Sequence, residues 1–434
     1  MSDLQDSLPK LRRNRSFWGM TVAQFLGAFN DNLYKQLILL WCLDHARKSA
    51  DYYQPIAMLI FALPFVLLSG YAGYLADRFR KQQIVLLCKI AEVLIMLLGM
   101  GAFATEHLGI MFFVLFLMGV HSAFFGPSKY GILPEIVQEH DLPKANGIFQ
   151  LTTFMAIIFG MIFAGAVKDW AKGALWVAGI PCIGFALCGT LAAWCVNRTP
   201  RVRPDLPFHP SDLLLPKEIW ELLKKRFDLT QVLALYSLFW FLGGVVQPTV
   251  NAVCKLQLER NDTQTSAANG CLAIGIAVGC GLSGALAKGM IRFTIVRRAS
   301  FGIVIALAAL SIPLQWQFGA VQRDAIDPLL GYAGSLPFLL ILGIASGLFA
   351  VPLQVYLQVR SPADQKGRLM GAMNLCTWIG IFLSGGFYWL AEHGLAELNW
   401  PRNMIYGTLA ILLLPVAFWG INRPDVESKI TDAA

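Results

Sequence analysis

The chain has 434 residues, 56% of them apolar and 14% charged, with a formal net charge of +8 and a mean hydropathy of +0.57. No soluble domain, or pair of domains, of this length has an interior large enough for that much apolar surface, so lipid must act as a second solvent. The basic charge requires no nucleic acid, because an excess of Lys and Arg on the cytoplasmic loops of a membrane protein accounts for it.

A helix needs about twenty apolar residues to cross the hydrocarbon core. Such runs occur at roughly 17–43, 55–76, 83–105, 109–130, 145–167 and 174–196, then at roughly 229–254, 267–287, 295–316, 334–358, 367–391 and 403–422. They predict an all-α membrane protein with twelve transmembrane helices in two six-helix halves, residues 1–196 and 229–434, joined by a linker at 197–228. The first fifteen residues are polar and the run after them is too long for a cleaved signal, so the first helix is expected to insert and stay. With the N-terminus inside, 25 of the 35 Lys and Arg fall on the cytoplasmic side and eight outside, while Lys35 and Lys89 lie within helices. That bias places both termini in the cytoplasm.

Charge at membrane depth is costly, so each buried instance needs a partner or a purpose. The first helix carries Asn30, Asp31, Asn32 and Lys35; Asp31 lies about 24 Å beyond Arg15, past the bilayer midplane. Asp31 and Lys35 are four apart and are expected to pair on one face. An ion pair that only glues helices is one reading, but three consecutive polar residues and a Lys exceed what glue requires. The third helix adds Lys89 and Glu92, three apart, and these four charges cancel. A cavity with separated positive and negative groups suits a zwitterionic or amphiphilic headgroup, and internal salt bridges are the competing account. His121, in the fourth helix, fits either a proton relay or hydrogen-bonded packing.

The linker holds five prolines and then Lys217–Phe227, where Ile219, Trp220, Leu223 and Phe227 are expected to share one face of an amphipathic helix. Such a helix either lies on the membrane surface or is solvated. Polar groups of the second half are uncharged: Gln247 and Asn251, four apart around Pro248, then Asn269, Gln354, Gln358 and Asn374. The N-terminal half is therefore expected to grip the charged part of a substrate, with the C-terminal half as the more apolar wall. The nine cysteines form no C-x-x-C pair and read as packing residues, so neither a disulfide nor a metal site is expected. No cofactor is implied, and the absence of a G-x-x-x-x-G-K-[ST] loop argues against ATP-driven pumping.

The halves echo each other. Gly73-Tyr74-Leu75-Ala76-Asp77 recurs 211 residues later as Gly284-Ala285-Leu286-Ala287-Lys288, and Ser122–Pro127 is echoed by Ser346–Pro352. Parallel repeats of this kind mark transporters. Gly73-x-Leu75-Ala76-Asp77-Arg78-Phe79-Arg80-Lys81 resembles the signature loop of the major facilitator superfamily, although that family usually has Gly where Arg80 stands. The resemblance implies that Gly73 permits close helix packing, and that Asp77, Arg78 and Lys81 lock neighbouring helices at the cytoplasmic side.

Three segments resemble bacterial lysophospholipid transporters more narrowly: Ala23–Asn32; Gly126–Glu135 with Lys144–Gly147; and Ala273–Gly279 with Val351–Gln354. The resemblance implies a monomeric, non-enzymatic secondary transporter in the bacterial inner membrane. It would carry a lysophospholipid from the outer to the inner leaflet, for re-acylation by a separate cytoplasmic-side acyltransferase. Asn30, Asp31 and Asn32 would belong to the headgroup cavity, with Lys129 and Glu135 near its cytoplasmic gate. Relatives of that kind carry an Arg where Gln247 stands. A proton-coupled drug or small-solute carrier of the same superfamily, using Asp31, Glu92 or His121, is the alternative.

Overall fold

The computed structural model describes residues 8–45, 50–171, 174–208, 213–314, 326–418 and 426–427. Twelve long helices run through them: α1 (Arg15–His45), α2 (Ala50–Arg78), α3 (Lys81–Thr105), α4 (Leu108–Gly131), α5 (Leu142–Trp170), α6 (Gly179–Trp194), α7 (Phe227–Ala252), α8 (Asp262–Ala287), α9 (Phe293–Ser311), α10 (Gly331–Arg360), α11 (Lys366–Glu397) and α12 (Met404–Phe418). Their ends follow local chemistry. Asn261 and Gln264 form a capping box that starts α8, and Glu106, in the left-handed region, ends α3. Pro248 interrupts the bonding of α7, which runs on into a π-turn at Val253–Gln257. Arg80 sits in extended backbone ahead of α3, so the glycine usual at that position is not needed here.

Among the described residues, ten helices are long and apolar enough to cross a membrane. α1 is interrupted by the polar run from Asn30 to Gln36. α12 is apolar but short, and residues 419–422 of the last expected span lie outside the described residues. Leu87, Leu94, Ile162, Leu191, Ile305, Leu383 and Ile411 are each more than half exposed. Large apolar side chains spread over so many outer faces are suited to hydrocarbon rather than water.

Packing divides the helices into two sets. Within the first, α1 packs on α5 and α6, α2 on α4, and α3 on α4 and α6; within the second, α8 packs on α10, α7 on α11, and α9 on α10 and α12. The sets meet along α2–α11 and α5–α8. Both seams close on glycine. A Cβ at Gly73 would stand 2.8 Å from the Gly367 carbonyl, and one at Gly147 would stand 2.8 Å from the Cys280 carbonyl. Gly284, the counterpart of Gly73 in the repeat, packs against Gly147 and Pro143. The two echoed glycines thus occupy equivalent seams.

The linker helix is observed at Lys217–Lys225, and Phe227 instead opens α7. Its expected single apolar face is split. Ile219 and Leu223 are buried against the protein, whereas Trp220 and Phe227 are exposed. Arg226, with φ −107° and ψ 75°, breaks the helix and turns Phe227 out of register with the other three.

Candidate functional site

The charged residues expected inside the first set do converge, though not all in the expected pairs. Lys89 Nζ meets Glu92 Oε2 at 2.6 Å, with both side chains at most 1% exposed. Asn30 Nδ2 donates to Glu92 Oε1 at 3.0 Å and to the Cys182 carbonyl at 3.2 Å. Lys89 also lies 5.4 Å from the Phe125 ring centroid. These three residues are bonded together and closed off, with only the Asn30 Oδ1 atom among them left without a partner, so they brace α1, α3 and α6 rather than line open space. Asn32 turns back to the Ala28 carbonyl of its own helix.

Asp31 and Lys35 do not form the expected ion pair. Lys35 Nζ instead reaches toward α2, 3.9 Å from Met58 Sδ and 5.9 Å from the Phe61 ring centroid. Asp31 turns to α4, where Ser122 Oγ donates to its Oδ2 at 2.8 Å. A spacing of four permits a pair, but each side chain found a partner on a different neighbouring helix. The Asp31 Oδ1 atom is buried with no hydrogen-bond partner. His121 extends this chain: its Nδ1 lies 3.3 Å from Ser122 Oγ, and its Nε2 lies 3.5 Å from Glu92 Oε2. Asp31, Ser122 and His121 are thus linked from α1 to α4, and His121 Nε2 faces the Lys89–Glu92 pair of α3 without a hydrogen bond to it.

Lys129, expected beside the gate, has its ammonium 4.8 Å from the Tyr130 ring centroid, and the charges it feels are those of Asp31 and Lys89. It belongs electrostatically with Asp31. Gln247 and Asn251 are exposed on α7, and Gln247 lies seven residues beyond Trp240, hence on the same helix face. Trp240 stacks on Phe154 of α5 at 6.3 Å, so this stripe looks toward the first set. Asn251 accepts from Asn269 Nδ2 at 2.7 Å, tying α7 to α8.

The signature loop does lock helices. Asp77, fully buried, accepts from Gly367 N at 2.5 Å, from Arg368 N at 3.0 Å and from Arg368 Nε at 3.1 Å. A carboxylate from α2 thus caps the N-terminus of α11, where the helix dipole favours negative charge. Lys81 Nζ pairs with Glu135 Oε1 at 2.5 Å, within the first set. Arg78 takes no part in the lock: it bonds the Tyr74 hydroxyl one turn back and lies 5.7 Å from the Phe79 ring centroid.

Sequence reasoning missed the residues that complete this seam. Arg368 Nη1 reaches Glu218 Oε2 on the linker helix at 2.8 Å, and Arg203 Nη1 lies 3.2 Å from the same oxygen and 3.6 Å from Asp364 Oδ2. Arg203 N donates to the Asp77 carbonyl at 3.0 Å. Partial burial would raise the Glu218 pKa, but the Arg368 hydrogen bond and charge outweigh it, helped by Arg203, and hold the carboxyl below its ordinary value. No local signal in the sequence marked Arg368 as the partner of Asp77, 291 positions away. Asn146 and Gln150 on α5 were also missed. They bond Gln358 and Gln354 on α10, so these two amides of the second set join the sets rather than forming an apolar wall.

Two seams of helices close on glycine, and an acid at the end of α2 caps α11. A profile of the Major Facilitator Superfamily matches residues 11–385. The chain belongs to that superfamily. Among curated proteins of the superfamily, it is 30% identical to the lysophospholipid transporter LplT of Photorhabdus laumondii over 94% of this chain and 96% of the relative. It is 29% identical to LplT of Cronobacter sakazakii over 87% of this chain and 89% of the relative. Among solved structures, the superfamily fold is matched by FucP in its outward conformation, with TM-score 0.71 and 9% identity over 94% of this chain and 99% of FucP. The human organic anion transporter MFSD10 matches with TM-score 0.70 and 15% identity over 93% of this chain and 100% of that one.

Proposed function

We propose that this superfamily member moves lysophospholipids, such as lysophosphatidylethanolamine, from the outer to the inner leaflet of the bacterial inner membrane by alternating access. In this reading all twelve helices cross the bilayer, as two six-helix halves at 1–196 and 229–434. Both chain ends and the linker at 197–228 face the cytoplasm. The protein works as a monomer without cofactor and delivers its substrate to a separate cytoplasmic-side acyltransferase.

The observation that carries the reading is the Asp31 carboxylate. It lies at membrane depth, anchored through Oδ2 and free at Oδ1, with Lys129 within electrostatic reach. A free carboxylate oxygen suits an ammonium, and an ammonium side chain without an acidic partner suits a phosphate. A phospholipid headgroup offers both within one molecule. A single-chain lipid is already in the membrane, so only its headgroup meets the barrier that a polar site lowers. The curated relatives bearing the lysophospholipid transporter name support the substrate class. The Asp77 contacts hold α2 to α11 at one end of the bundle, and in this reading the site opens toward the other end, from which the lysolipid arrives.

The test is uptake of labelled lysophosphatidylethanolamine into vesicles by wild type and by Asp31→Asn. Wild type accumulates the label. The variant, having lost a charged hydrogen bond worth about 1.5–3 kcal/mol, transports at least about tenfold less while still reaching the membrane. No uptake by wild type would overturn the substrate. It would bring forward a proton-coupled drug or small-solute carrier, which the Asp31–Ser122–His121 link, with Glu92 facing it, favours.

A further inference from the structure

Between the charged cluster and the Asp77 lock lies a layer of side chains that neither uses. Gln150 Nε2 on α5 donates to Gln354 Oε1 on α10 at 2.7 Å and to the Tyr236 hydroxyl on α7 at 3.2 Å. One turn away, Asn146 Nδ2 donates to Gln358 Oε1 at 2.7 Å, and Gln358 Nε2 donates back to Asn146 Oδ1 at 3.1 Å. Gln358 Nε2 also reaches the Tyr130 carbonyl at 3.1 Å. Residues 146 and 150, like 354 and 358, are four apart and stack on one helix face. All four carboxamides are at most 1% exposed. On α4, Tyr130 stands between cluster residues His121 and Ser122 and the loop residue Glu135, which places the layer between the two sites.

Two features separate this layer from ordinary helix glue. It joins one set of helices to the other without charge, so parting it strands no ion in a dry interior, unlike the Asp77–Arg368 pair below it. It is also not fully satisfied. Gln150 Oε1 is buried without a partner, while Gln354 Nε2 faces the Tyr130 side chain. Orphaned amide atoms cost free energy only while the layer is dry, and water would meet them once the helices part. The layer is shut while dry, and water entering it would relieve the unpartnered Gln150 oxygen.

We infer that Asn146, Gln150, Gln354 and Gln358 form a neutral inner gate that parts once a lysophospholipid headgroup is bound. The inference rests on the alternating-access reading above. Opening would separate α5 from α10 and, with it, α5 from α8, where the gate has a natural reporter. Cys280 on α8 is fully buried, and its carbonyl faces Gly147.

The experiment is alkylation of Cys280 by a membrane-impermeant maleimide in inside-out vesicles, read by peptide mass. Gln354→Leu alone strands Gln150 Nε2 without its shorter bond in a dry layer, so labelling rises on the order of tenfold. Gln150→Leu with Gln354→Leu removes both amides of this turn together and leaves only the Tyr236 hydroxyl without its bonds to them, so labelling falls back toward the wild-type level. In wild type, added lysophosphatidylethanolamine raises labelling, and in the double variant it does not. Asn146→Leu, alone and with Gln358→Leu, repeats the comparison one turn away should the first pair fold poorly. A double variant labelled as fast as the single one would overturn the gate. So would wild-type labelling that ignores lysolipid while uptake proceeds. If wild type takes up no lysolipid, the substrate reading falls, and the substrate-free comparison of single and double variants still decides the gate.

Discussion

Asp77→Asn removes one negative charge from the seam and leaves the helices around it unchanged. The carboxylate accepts two backbone N–H groups and one guanidinium N–H across the seam, and both it and Arg368 are almost completely buried. Asn keeps a single acceptor oxygen and loses the attraction to Arg368 and to the positive end of α11. Arg368 then has Glu218 as its remaining carboxylate, and Glu218 is half exposed. Breaking a buried ion pair by removing one partner costs about 3–5 kcal/mol. Both groups meet water when this end of the bundle opens, so nearly all of that cost falls on the closed state. At about 1.4 kcal/mol per tenfold, even the lower bound shifts the closed-to-open ratio by about a hundredfold. The assay is Cys280 alkylation without substrate in wild type, Asp77→Asn, Arg368→Gln and the double variant. Each single variant is labelled much faster than wild type. The double variant is labelled no faster than the quicker single one, because the same interaction is lost twice. A folded Asp77→Asn protein labelled at the wild-type rate, or strictly additive effects, would refute the lock.

Other perturbations probe the bracing and the linker. Lys89→Met leaves Glu92 buried with Asn30 and His121 as partners; the variant should lose about 3–5 kcal/mol of stability, and Lys89→Met with Glu92→Leu should recover most of it, as thermal unfolding in detergent can measure. Gly73→Val places a branched side chain 2.8 Å from the Gly367 carbonyl, backbone that cannot step aside, so α2 and α11 cannot close; Cys280 labelling rises and uptake falls, and wild-type values for both would refute this contact. For Glu218, a depressed pKa means that its contribution is complete above the ordinary value of 4.5 and is lost as pH falls through the lower docked value. Hydrogen exchange of residues 217–225, corrected for intrinsic rate, should stay flat from about pH 8 to 5 and rise only below about 4.5. In Glu218→Gln it should be fast throughout, and a wild-type transition near pH 6–7 would contradict the Arg368 contact.

Hydropathy found each of the twelve long helices among the described residues, with some ends five or six residues off, and ten of them are apolar runs of membrane length, which have no alternative fate in lipid. Only the linker helix was misread in character. Its face pattern treated Phe227 as part of one helix, whereas Arg226 ends it and α7 begins there. Within the site, Lys89 with Glu92 was legible because the pair lies on one turn of one helix. Asp31 with Lys35 was equally legible and did not form, because Ser122 and Met58, on two other helices, came closer.

Thus the order of polar and apolar residues along the chain determines the helices, their lengths, the signature loop and the set of charges brought to membrane depth. All of these depend on neighbours within a turn or on partition into lipid. Tertiary structure alone decides which of those charges are spent on bracing and which remain free. It pairs Asp77 with a helix end 290 residues away, and it draws Glu218, Arg203 and four plain carboxamides into the seam between the sets. Such contacts depend on how twelve helices pack together, and no spacing within a single helix encodes that.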